Sequence, residues 1–270
     1  MKSNIYLHHI AYSPETLAMV EPGYIILNNL DNKRPDWFEY WPIRNFLLNA
    51  TMDENSFYGF FSPKFSSKTG LSYNNVLNCI EENIDRADVF LFSPQPDMGA
   101  FFLNVFEQGE TFDPGLIATY EEFLRHFGQE IPLNNLIMDS RTIVFSNYFV
   151  ARPKFWREWL RWNELLFLVC EGPQTALQDK LRYRTTYPGA VERKVFLVER
   201  TASLLLKLQP QWRTYAANPF SMAWSMSKFR DFPVECYIHD ALKIAFNEQR
   251  YPQYIEAFSE IRNRFSLGRS

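Results

Sequence analysis

The stretch DVFLFSPQPD, residues 88–97, decides the fold of this chain. A strand is predicted over 87–92, because the apolar run Val89 to Phe92 has no polar interruption, which is typical of a strand buried on both faces of a sheet. The segment that follows, Ser93 to Asp97, contains two prolines among polar residues, and such a cluster ends a strand. A helix is predicted next, over 99–108, so the region predicts a strand, a loop and a helix in succession.

The same succession recurs along the chain. Further strands are predicted over 5–11, 24–27, 56–62 and 142–151. Further helices are predicted over 37–49, 71–86, 115–127, 153–169 and 199–208, and 194–198 is predicted as a strand or the entrance to a helix. Because strands alternate with helices, we predict an α/β protein in which a central, mostly parallel sheet is flanked by helices.

The domain organisation is predicted from the absence of boundaries in the sequence. The chain contains no internal repeat, low-complexity tract or linker-like segment. Its length of 270 residues is sufficient for one large buried core. We therefore predict a single domain over 1–270, in which residues from about 210 to 270 form a helical or irregular C-terminal extension.

Composition and charge exclude several classes of protein. The hydrophobic share is 46% and the charged share 22%, which is typical of a globular protein and not of a disordered one. The net charge of −3 provides no global basic field, so we expect no nucleic-acid partner. The aromatic share of 17% is high, and these rings would suit either a sugar-binding platform or a surface for a membrane or a partner.

The three cysteines and the N-terminus predict a location. The cysteines are odd in number, far apart and never in a CxxC pair, which favours a reducing compartment and gives no support to a structural zinc site. The opening MKSNIYLHHIAY lacks the apolar core of a secretory signal. No window approaches the ~18 uninterrupted apolar residues of a membrane span. We therefore expect a cytoplasmic protein.

Several catalytic signatures are absent from the sequence. There is no GxxxxGK[ST], GxGxxG, GxSxG or HExxH motif, which excludes the usual markers of P-loop, dinucleotide-binding, α/β-hydrolase and zinc-protease sites. There is also no Asp-x-Asp pair. Candidate site residues must therefore be sought in the polar segments near the predicted strands, where open α/β sheets bind their ligands.

The first such cluster is DNKRPDWFEYWPIR, residues 31–44, which follows a predicted strand. Guanidinium groups bind phosphates in a bidentate manner, and large aromatic rings stack on a base or a sugar. An alternative, of equal weight on residue chemistry alone, is a helix with surface ion pairs whose aromatic residues belong to the core. The candidate ligand-binding residues here are Asp31, Arg34, Tyr40, Trp41 and Arg44, with Trp37 as a further stacking candidate.

Three smaller clusters lie near other predicted strands. In the first, Gln95 and Asp97 follow the buried strand, where a carboxylate would hold a metal or a sugar hydroxyl, or would simply favour a helix N-terminus. In the second, Asp139 precedes a predicted strand that contains Ser146 and Asn147, and these polar groups need partners if buried. The third is the pair Glu199 and Arg200, in which the carboxylate would act as a general base, a metal ligand or a salt-bridge partner.

Five segments together resemble a group of bacterial glycosyltransferases. They are DNKRPDWFEYWPIRNFL, SFYGFFSPKFSSKTGLS, DVFLFSPQPDMGAFFLNVFEQGE, MDSRTIVFSNYFVARPKFWREWL and KVFLVERTASLLL. The group is similar to proteins encoded in capsule and lipopolysaccharide clusters. The resemblance extends over about residues 1–210, and the tail beyond it carries no motif of the group.

The resemblance implies a GT-A-like fold and a transferase that uses a nucleotide sugar. The sugar would pass to a growing capsule or lipopolysaccharide glycan, free or lipid-linked, and the enzyme would work in the cytoplasm at the inner face of the membrane, with peripheral membrane contact. It also implies a donor site made from the residues above together with Lys64, Ser146, Asn147 and Arg200, and catalytic carboxylates among Asp97, Asp139 and Glu199. No motif fixes whether the reaction inverts or retains configuration.

The resemblance leaves the metal open. GT-A enzymes bind Mn²⁺ or Mg²⁺ through an Asp-x-Asp pair, and the comparable position here is Gln95–Pro96–Asp97, which keeps only the second acid. Either Asp97 holds a cation together with another acid such as Glu199, or Arg34, Arg44 and Lys64 neutralise the donor diphosphate without metal.

Two other functional classes compete with the transferase. The missing Asp-x-Asp pair favours a non-catalytic carbohydrate-binding or scaffold protein that has the fold without the chemistry. A sugar-processing hydrolase would need two opposed carboxylates about 5 to 9 Å apart, a distance that only a structure measures.

Overall fold

A computed structural model describes residues 4–266. Its six strands form one sheet of order β2-β1-β3-β5-β4-β6. The strands are β1 (Ile5–Ala11), β2 (Ile25–Asn28), β3 (Phe57–Phe61), β4 (Val89–Leu91), β5 (Phe149–Ala151) and β6 (Thr214–Ala216). Only β5 runs antiparallel to its neighbours, and the other pairs are parallel. The predicted α/β class and the mostly parallel sheet are confirmed.

Twelve α-helices accompany the sheet within the described residues. The first six are α1 (Pro14–Ala18), α2 (Tyr40–Asn49), α3 (Phe65–Thr69), α4 (Tyr73–Glu82), α5 (Pro96–Phe101) and α6 (Val105–Phe112). The last six are α7 (Leu116–His126), α8 (Pro153–Glu171), α9 (Ala176–Leu181), α10 (Arg193–Leu208), α11 (Pro233–Gln249) and α12 (Gln253–Ser266).

Alternate residues of the central strands bury two separate cores. In β3, Tyr58 and Phe60 belong to the core that includes α7, α8 and α10, whereas Phe57 and Phe61 belong to the core that includes α3 and α4. This alternation follows from the period of two along a strand. Because β3 is buried on both faces, it is almost entirely aromatic, and its one glycine, Gly59, lies where a Cβ would come within 2.7 Å of a Val150 methyl.

Helix α8 is attached to the sheet through Trp156. The indole ring stacks on Phe149 of β5 with a centroid distance of 4.2 Å and meets Phe60 of β3 edge-on at 4.8 Å. Its Nε1 donates a hydrogen bond of 2.8 Å to the carbonyl oxygen of Tyr58. A single side chain therefore joins the helix to two strands that are distant in sequence, since Tyr58 and Phe149 are 91 positions apart.

The segment from residue 210 onward differs from the prediction. It was expected to be a helical or irregular extension, yet Thr214–Ala216 forms the edge strand β6, which pairs in parallel with β4. Three residues are too few for an alternating pattern to be recognised. The helix α11 that follows packs on α5, so this part of the chain contributes to the sheet and to the layer beside it.

Three other predicted elements are corrected. The strand predicted over 142–151 is limited to Phe149–Ala151, because Ser146 and Asn147 take left-handed backbone conformations. The helix predicted over 99–108 is divided into α5 and α6, since Asn104 accepts bonds from two backbone amides and starts a new helix. Residues 194–198 belong to α10.

Two further observations concern the whole described region. None of the helices in residues 4–266 combines the length and the apolar character needed to cross a bilayer. The three cysteines, Cys79, Cys170 and Cys236, are free thiols, as the sequence predicts.

The packing of Trp156 leads to a stability prediction. Trp156→Ala should lower the free energy of unfolding by about 3–5 kcal/mol, because it removes a fully buried ring and leaves a cavity between helix and sheet. Chemical denaturation measures this loss. The matched variant Leu168→Ala, on the same helix but 63% exposed, should change stability by less than about 0.5 kcal/mol. Equal losses in both variants would contradict the role given to Trp156.

Candidate functional site

A cavity of about 550 Å³ opens at the edge where the parallel strands end. Strand β1 lies between β2 and β3 in the sheet. After β1 the chain continues to β2 on one side, and it then returns to β3 on the opposite side of β1, which makes the end of β1 a topological switch point. Open α/β sheets bind ligands at such a switch point. The polar and charged residues that line the cavity are Tyr12, Asn29, Asn32, Glu39, Ser62, Lys64, Lys68, Gln95, Gln108, Asp113, Ser146, Thr185, Tyr187, Glu199 and Arg200.

The backbone around the cavity is strained. Seven residues other than glycine have positive φ in the described chain, and four of them line this cavity. They are Asn32 at φ 36°, Phe38 at 47°, Gln95 at 59° and Ser146 at 57°. Left-handed conformations cost energy in residues with a Cβ, and they concentrate at functional sites where the surroundings enforce them. This concentration supports a binding role for the cavity.

Glu199 is the carboxylate of greatest chemical interest in the cavity. It lies on α10, and its carboxylate has no hydrogen-bond or ion-pair partner among residues 4–266. Burial raises the pKa of Glu199, and the negative charge of Glu39 raises it further, whereas Lys68 and Arg200 act in the opposite direction. An unpartnered carboxylate with a raised pKa in a concave site is suited to accept or donate a proton.

Two lysines of one short segment face the same cavity. Lys64 immediately precedes α3 and Lys68 lies within it, and the Lys68 amide donates to the Lys64 carbonyl, so the two side chains are one turn apart. The Lys68 ammonium donates a hydrogen bond of 2.8 Å to the hydroxyl of Ser146. Lys64 is exposed, and its ammonium has no partner among the described residues.

Arg200 forms part of the cavity wall and is firmly held. Its Nε donates to the carbonyl of Val105, and its two terminal nitrogens donate to the carbonyl of Phe196 and to Gln108, each at 2.8 Å. The guanidinium packs directly over Gly109, where a Cβ would lie 2.5 Å from one terminal nitrogen. Only a glycine leaves room for Arg200 at this position.

The cavity brings together five of the candidate residues proposed from the sequence. Lys64 and Gln95 come from the loops after β3 and β4, and Ser146 comes from the loop before β5. Glu199 and Arg200 come from α10. Ser146 joins Lys64 and Gln95 because the antiparallel strand β5 begins at the edge where the parallel strands β3 and β4 end, and α10 brings Glu199 and Arg200 to the same edge.

The structure places Asp31, Arg34 and Arg44 outside this cavity. Asp31 pairs with Lys33 at the surface. Arg34 binds both oxygens of Asp36 and donates to Glu171 at 2.7 Å. Arg44 binds both oxygens of Glu164 at 2.5 and 2.8 Å. These contacts are those expected from the alternative interpretation of residues 31–44, a helix with surface ion pairs.

The aromatic residues of the same segment also lie away from the cavity. Tyr40 is 2% exposed and donates its hydroxyl to Glu164 at 2.6 Å, so it belongs to the core. Trp41 stacks on Phe167, with the Arg44 guanidinium 5.7 Å from its ring centroid. Trp37 is buried and donates its Nε1 to Glu171. These rings therefore have protein partners and present no free face to the cavity.

Asp97 and Asp139 are buried in structural contacts. Asp97 is 0% exposed, and its two oxygens accept hydrogen bonds from the amide and hydroxyl of Ser225 and from the hydroxyl of Ser227. Asp139 is 1% exposed and binds Arg141 in a bidentate manner. Burial would raise the pKa of Asp139, but bonds from Arg141 and Asn247 hold it below its usual value. Neither carboxylate lines the cavity.

Asn147, the remaining candidate, is buried next to Ser146 and does not line the cavity. Its side-chain oxygen has no hydrogen-bond partner within the described chain. Its backbone takes φ 55°, so Ser146 and Asn147 form a left-handed pair that turns the chain into β5.

Sequence reasoning missed several lining residues, above all Lys68, Glu39 and Asn29. Lys68 lies in SPKFSSKTG, directly after the strand β3, so its position relative to a strand end was a usable signal. Asn29 lies beside the first polar cluster and Glu39 within it, so their position after a predicted strand was also a usable signal. The loop that supplies Thr185 and Tyr187 has no pattern that would place it at the site.

Comparisons with known proteins give one similarity. No protein-family model matches this chain, and no curated protein matches it either. Among solved structures it is similar to the apo structure of WbbM, described as a bifunctional glycosyltransferase, with 15% identity and a TM-score of 0.47. The alignment covers 82% of this chain and 46% of that one, so this chain spans less than half the length of its neighbour. A similarity at this level assigns no role to any residue.

The contact between Gly109 and Arg200 leads to a second prediction. Gly109→Ala should lower the free energy of unfolding by about 1–3 kcal/mol, because the new methyl displaces a guanidinium that is held by three hydrogen bonds. The matched control is Gly99→Ala in α5, where the nearest side-chain atom is 3.5 Å from the added Cβ. Denaturant unfolding should show no loss for the control, and a loss of similar size in both would refute this account of Arg200.

The raised pKa of Glu199 predicts a pH-dependent stability. Because the folded pKa lies above the unfolded one, the folded state binds the proton more tightly, and the charged form costs stability once the pH exceeds the folded pKa. Glu199→Gln should therefore raise Tm at about pH 8, and the gain should disappear as the pH falls to about 4. Thermal unfolding across this range measures the effect. Glu256→Gln, at an exposed position on α12, should show no such trend.

Proposed function

We propose that this protein is a GT-A-like glycosyltransferase that transfers a sugar from a nucleotide-sugar donor to a growing capsule or lipopolysaccharide glycan. The acceptor is a free or lipid-linked glycan, and the enzyme acts in the cytoplasm, at the inner face of the membrane. The observation that carries the proposal is the position of Glu199 in the switch-point cavity, which Lys64 and Lys68 also line, with the Lys68 charge acting on the Glu199 carboxylate. The sequence resemblance supports the choice of reaction.

The lining of the cavity suits a nucleotide sugar. Its volume of about 550 Å³ lies within the range of small-molecule sites. Amide side chains of Asn29, Asn32 and Gln95 offer donors and acceptors for sugar hydroxyls or a base edge. The rings of Tyr12 and Tyr187 line the same space and provide faces for stacking. The donor would therefore find charge, polar contacts and aromatic surface in one site.

Glu199 is the proposed general base. In a single displacement, its carboxylate takes the proton from the acceptor hydroxyl while the oxygen of that hydroxyl forms a bond to the anomeric carbon. The bond between that carbon and the phosphate oxygen breaks, and the nucleotide (a nucleoside diphosphate, or CMP from a CMP-sugar) leaves with the electron pair. A pKa raised by burial brings the base closer to the operating pH, which favours proton transfer. One base acting in this way inverts the anomeric configuration.

A second candidate is a non-catalytic carbohydrate-binding or scaffold protein. The observation that favours it is the burial of Asp97, the one acid retained at the position of the Asp-x-Asp pair, in contacts with Ser225 and Ser227. Such a protein would bind glycans without binding nucleotides. Replacement of Glu199 would leave its affinity for glycans unchanged.

Thermal shift with nucleotides separates these two functions. UDP, GDP and CMP, together with their sugars, should include at least one ligand that raises Tm, and a ligand at 100 times its Kd stabilises the folded state by about 2.7 kcal/mol. With the donor class identified, Glu199→Gln should retain the shift and lose about 10²–10⁴-fold in transfer rate. Lys154→Met, at an exposed position on α8, should change neither.

A flat nucleotide panel would contradict the transferase. Binding of a glycan array by the same preparation would then support the carbohydrate-binding function. Full transfer activity in Glu199→Gln would leave the transferase in place but would remove Glu199 as its base.

A further inference from the structure

Lys64 and Lys68 place two ammonium groups on one side of the cavity, and neither group forms an ion pair within residues 4–266. We propose that Lys64 and Lys68 bind and neutralise the donor diphosphate in place of a divalent cation, so that this site binds its nucleotide without metal. The inference rests on the proposed function, since it concerns the ligand of the same cavity. Lys68 was not among the residues that the sequence indicated.

The carboxylates of this chain do not fit the metal site that the resemblance implies. Both oxygens of Asp97 already accept hydrogen bonds from Ser225 and Ser227, and the side chain has no exposed surface. Within residues 4–266, no three His, Cys, Asp or Glu side chains come together in a way that could hold an ion. Arg193 donates to both oxygens of Asp113, so among the described lining residues a cation would have only the Glu39 and Glu199 carboxylates, with the Lys68 charge competing at Glu199.

The two lysines have donors to spare. An ammonium group carries three N–H donors, and Lys68 commits one of them, to the Ser146 hydroxyl at 2.8 Å. Its ammonium also lies 5.8 Å from the ring centroid of the buried Tyr148, within the range of a cation–π contact. Lys64 lies one turn earlier on the same face, and its ammonium has no partner in the described chain. Two adjacent cations with free donors match an anion that carries two phosphates.

The remaining charges of the cavity leave these lysines as its available cations. Asp113 is neutralised by Arg193, which donates to both of its oxygens at 2.6 and 2.7 Å. Three of the five N–H donors of Arg200 bond to protein oxygens, and the residue is only 7% exposed, so this guanidinium contributes charge from the wall more than direct contacts. When the bond from the sugar to the phosphate breaks, the electron pair stays on the leaving oxygen, and positive charge already in place stabilises it.

Isothermal titration of the full chain tests the inference. The probe is the nucleoside diphosphate that raises Tm, titrated with excess EDTA and again with Mn²⁺. We expect the two Kd values to agree within about twofold, because the cations that bind the diphosphate belong to the protein. Lys68→Met should weaken binding by about tenfold or more, and Lys64→Met should act in the same direction. Lys154→Met should leave Kd unchanged.

Two controls test whether the effect of the Lys68 substitution arises from contact with the phosphates. Lys68→Arg should restore most of the affinity because it keeps the positive charge, and circular dichroism of each variant confirms folding. Titration with the corresponding nucleoside, which lacks phosphates, should show the same affinity in wild type and Lys68→Met. A loss of nucleoside affinity equal to the loss for the diphosphate would overturn the assignment of Lys68 to the phosphates.

The outcomes distinguish failure of this inference from failure of the proposed function. Binding that disappears in EDTA and returns with Mn²⁺ overturns the inference and leaves the transferase standing, with Glu39 and Glu199 as the metal ligands to replace next. Binding of no nucleotide under either condition overturns both.

Discussion

The antiparallel direction of β5 is the constraint on which the site depends. This strand runs between β3 and β4, so it begins at the edge of the sheet where both neighbours end. The loop before it, with Ser146 at φ 57°, is thereby brought to the same edge as the loops after β3 and β4. With a parallel strand in this place, that loop would lie at the opposite edge, and Lys68 would have no Ser146 to bind.

Helix α10 connects stability and chemistry at this edge. Two consecutive residues of the helix differ in their contacts: Arg200 is held by three hydrogen bonds over Gly109, whereas the Glu199 carboxylate has no partner within residues 4–266. The hydrogen bonds of Arg200 anchor the helix, so the Glu199 carboxylate is held in a position where its negative charge costs folding free energy. A carboxylate with a raised pKa persists in such a position only because the surrounding contacts outweigh its cost.

The sequence predicted the fold better than the site, for physical reasons that particular residues illustrate. The apolar run in β4 and the aromatic run in β3 are local patterns, and they sufficed to predict an α/β sheet. Arg34 and Arg44 were candidates for phosphate binding, but they pair with Glu171 and Glu164, acids that lie 137 and 120 positions away in the chain. No local pattern reveals such partners.

The same reason explains the other assignments. Asp97 follows a strand, as a ligand residue would, but its partners Ser225 and Ser227 come from a segment that the sequence predicted as an extension. Glu199 was a candidate because it follows an apolar run, and Lys64 because the family resemblance implied it; both line the cavity. Lys68 was overlooked because its role depends on Ser146, which is 78 positions away.

Amide hydrogen exchange of the whole protein, measured with and without UDP, GDP and CMP in turn, tests whether this cavity is the nucleotide site. The account predicts slower exchange in the segments that line it, 29–39, 62–68, 144–147 and 185–200, with at least one nucleotide. It predicts no change along α12 or at the exposed end of α8. The account would be contradicted if slower exchange were confined to segments outside the cavity. Such segments include α2, which carries Arg44, and the part of α8 that carries Glu164 and Glu171, the partners of Arg44 and Arg34.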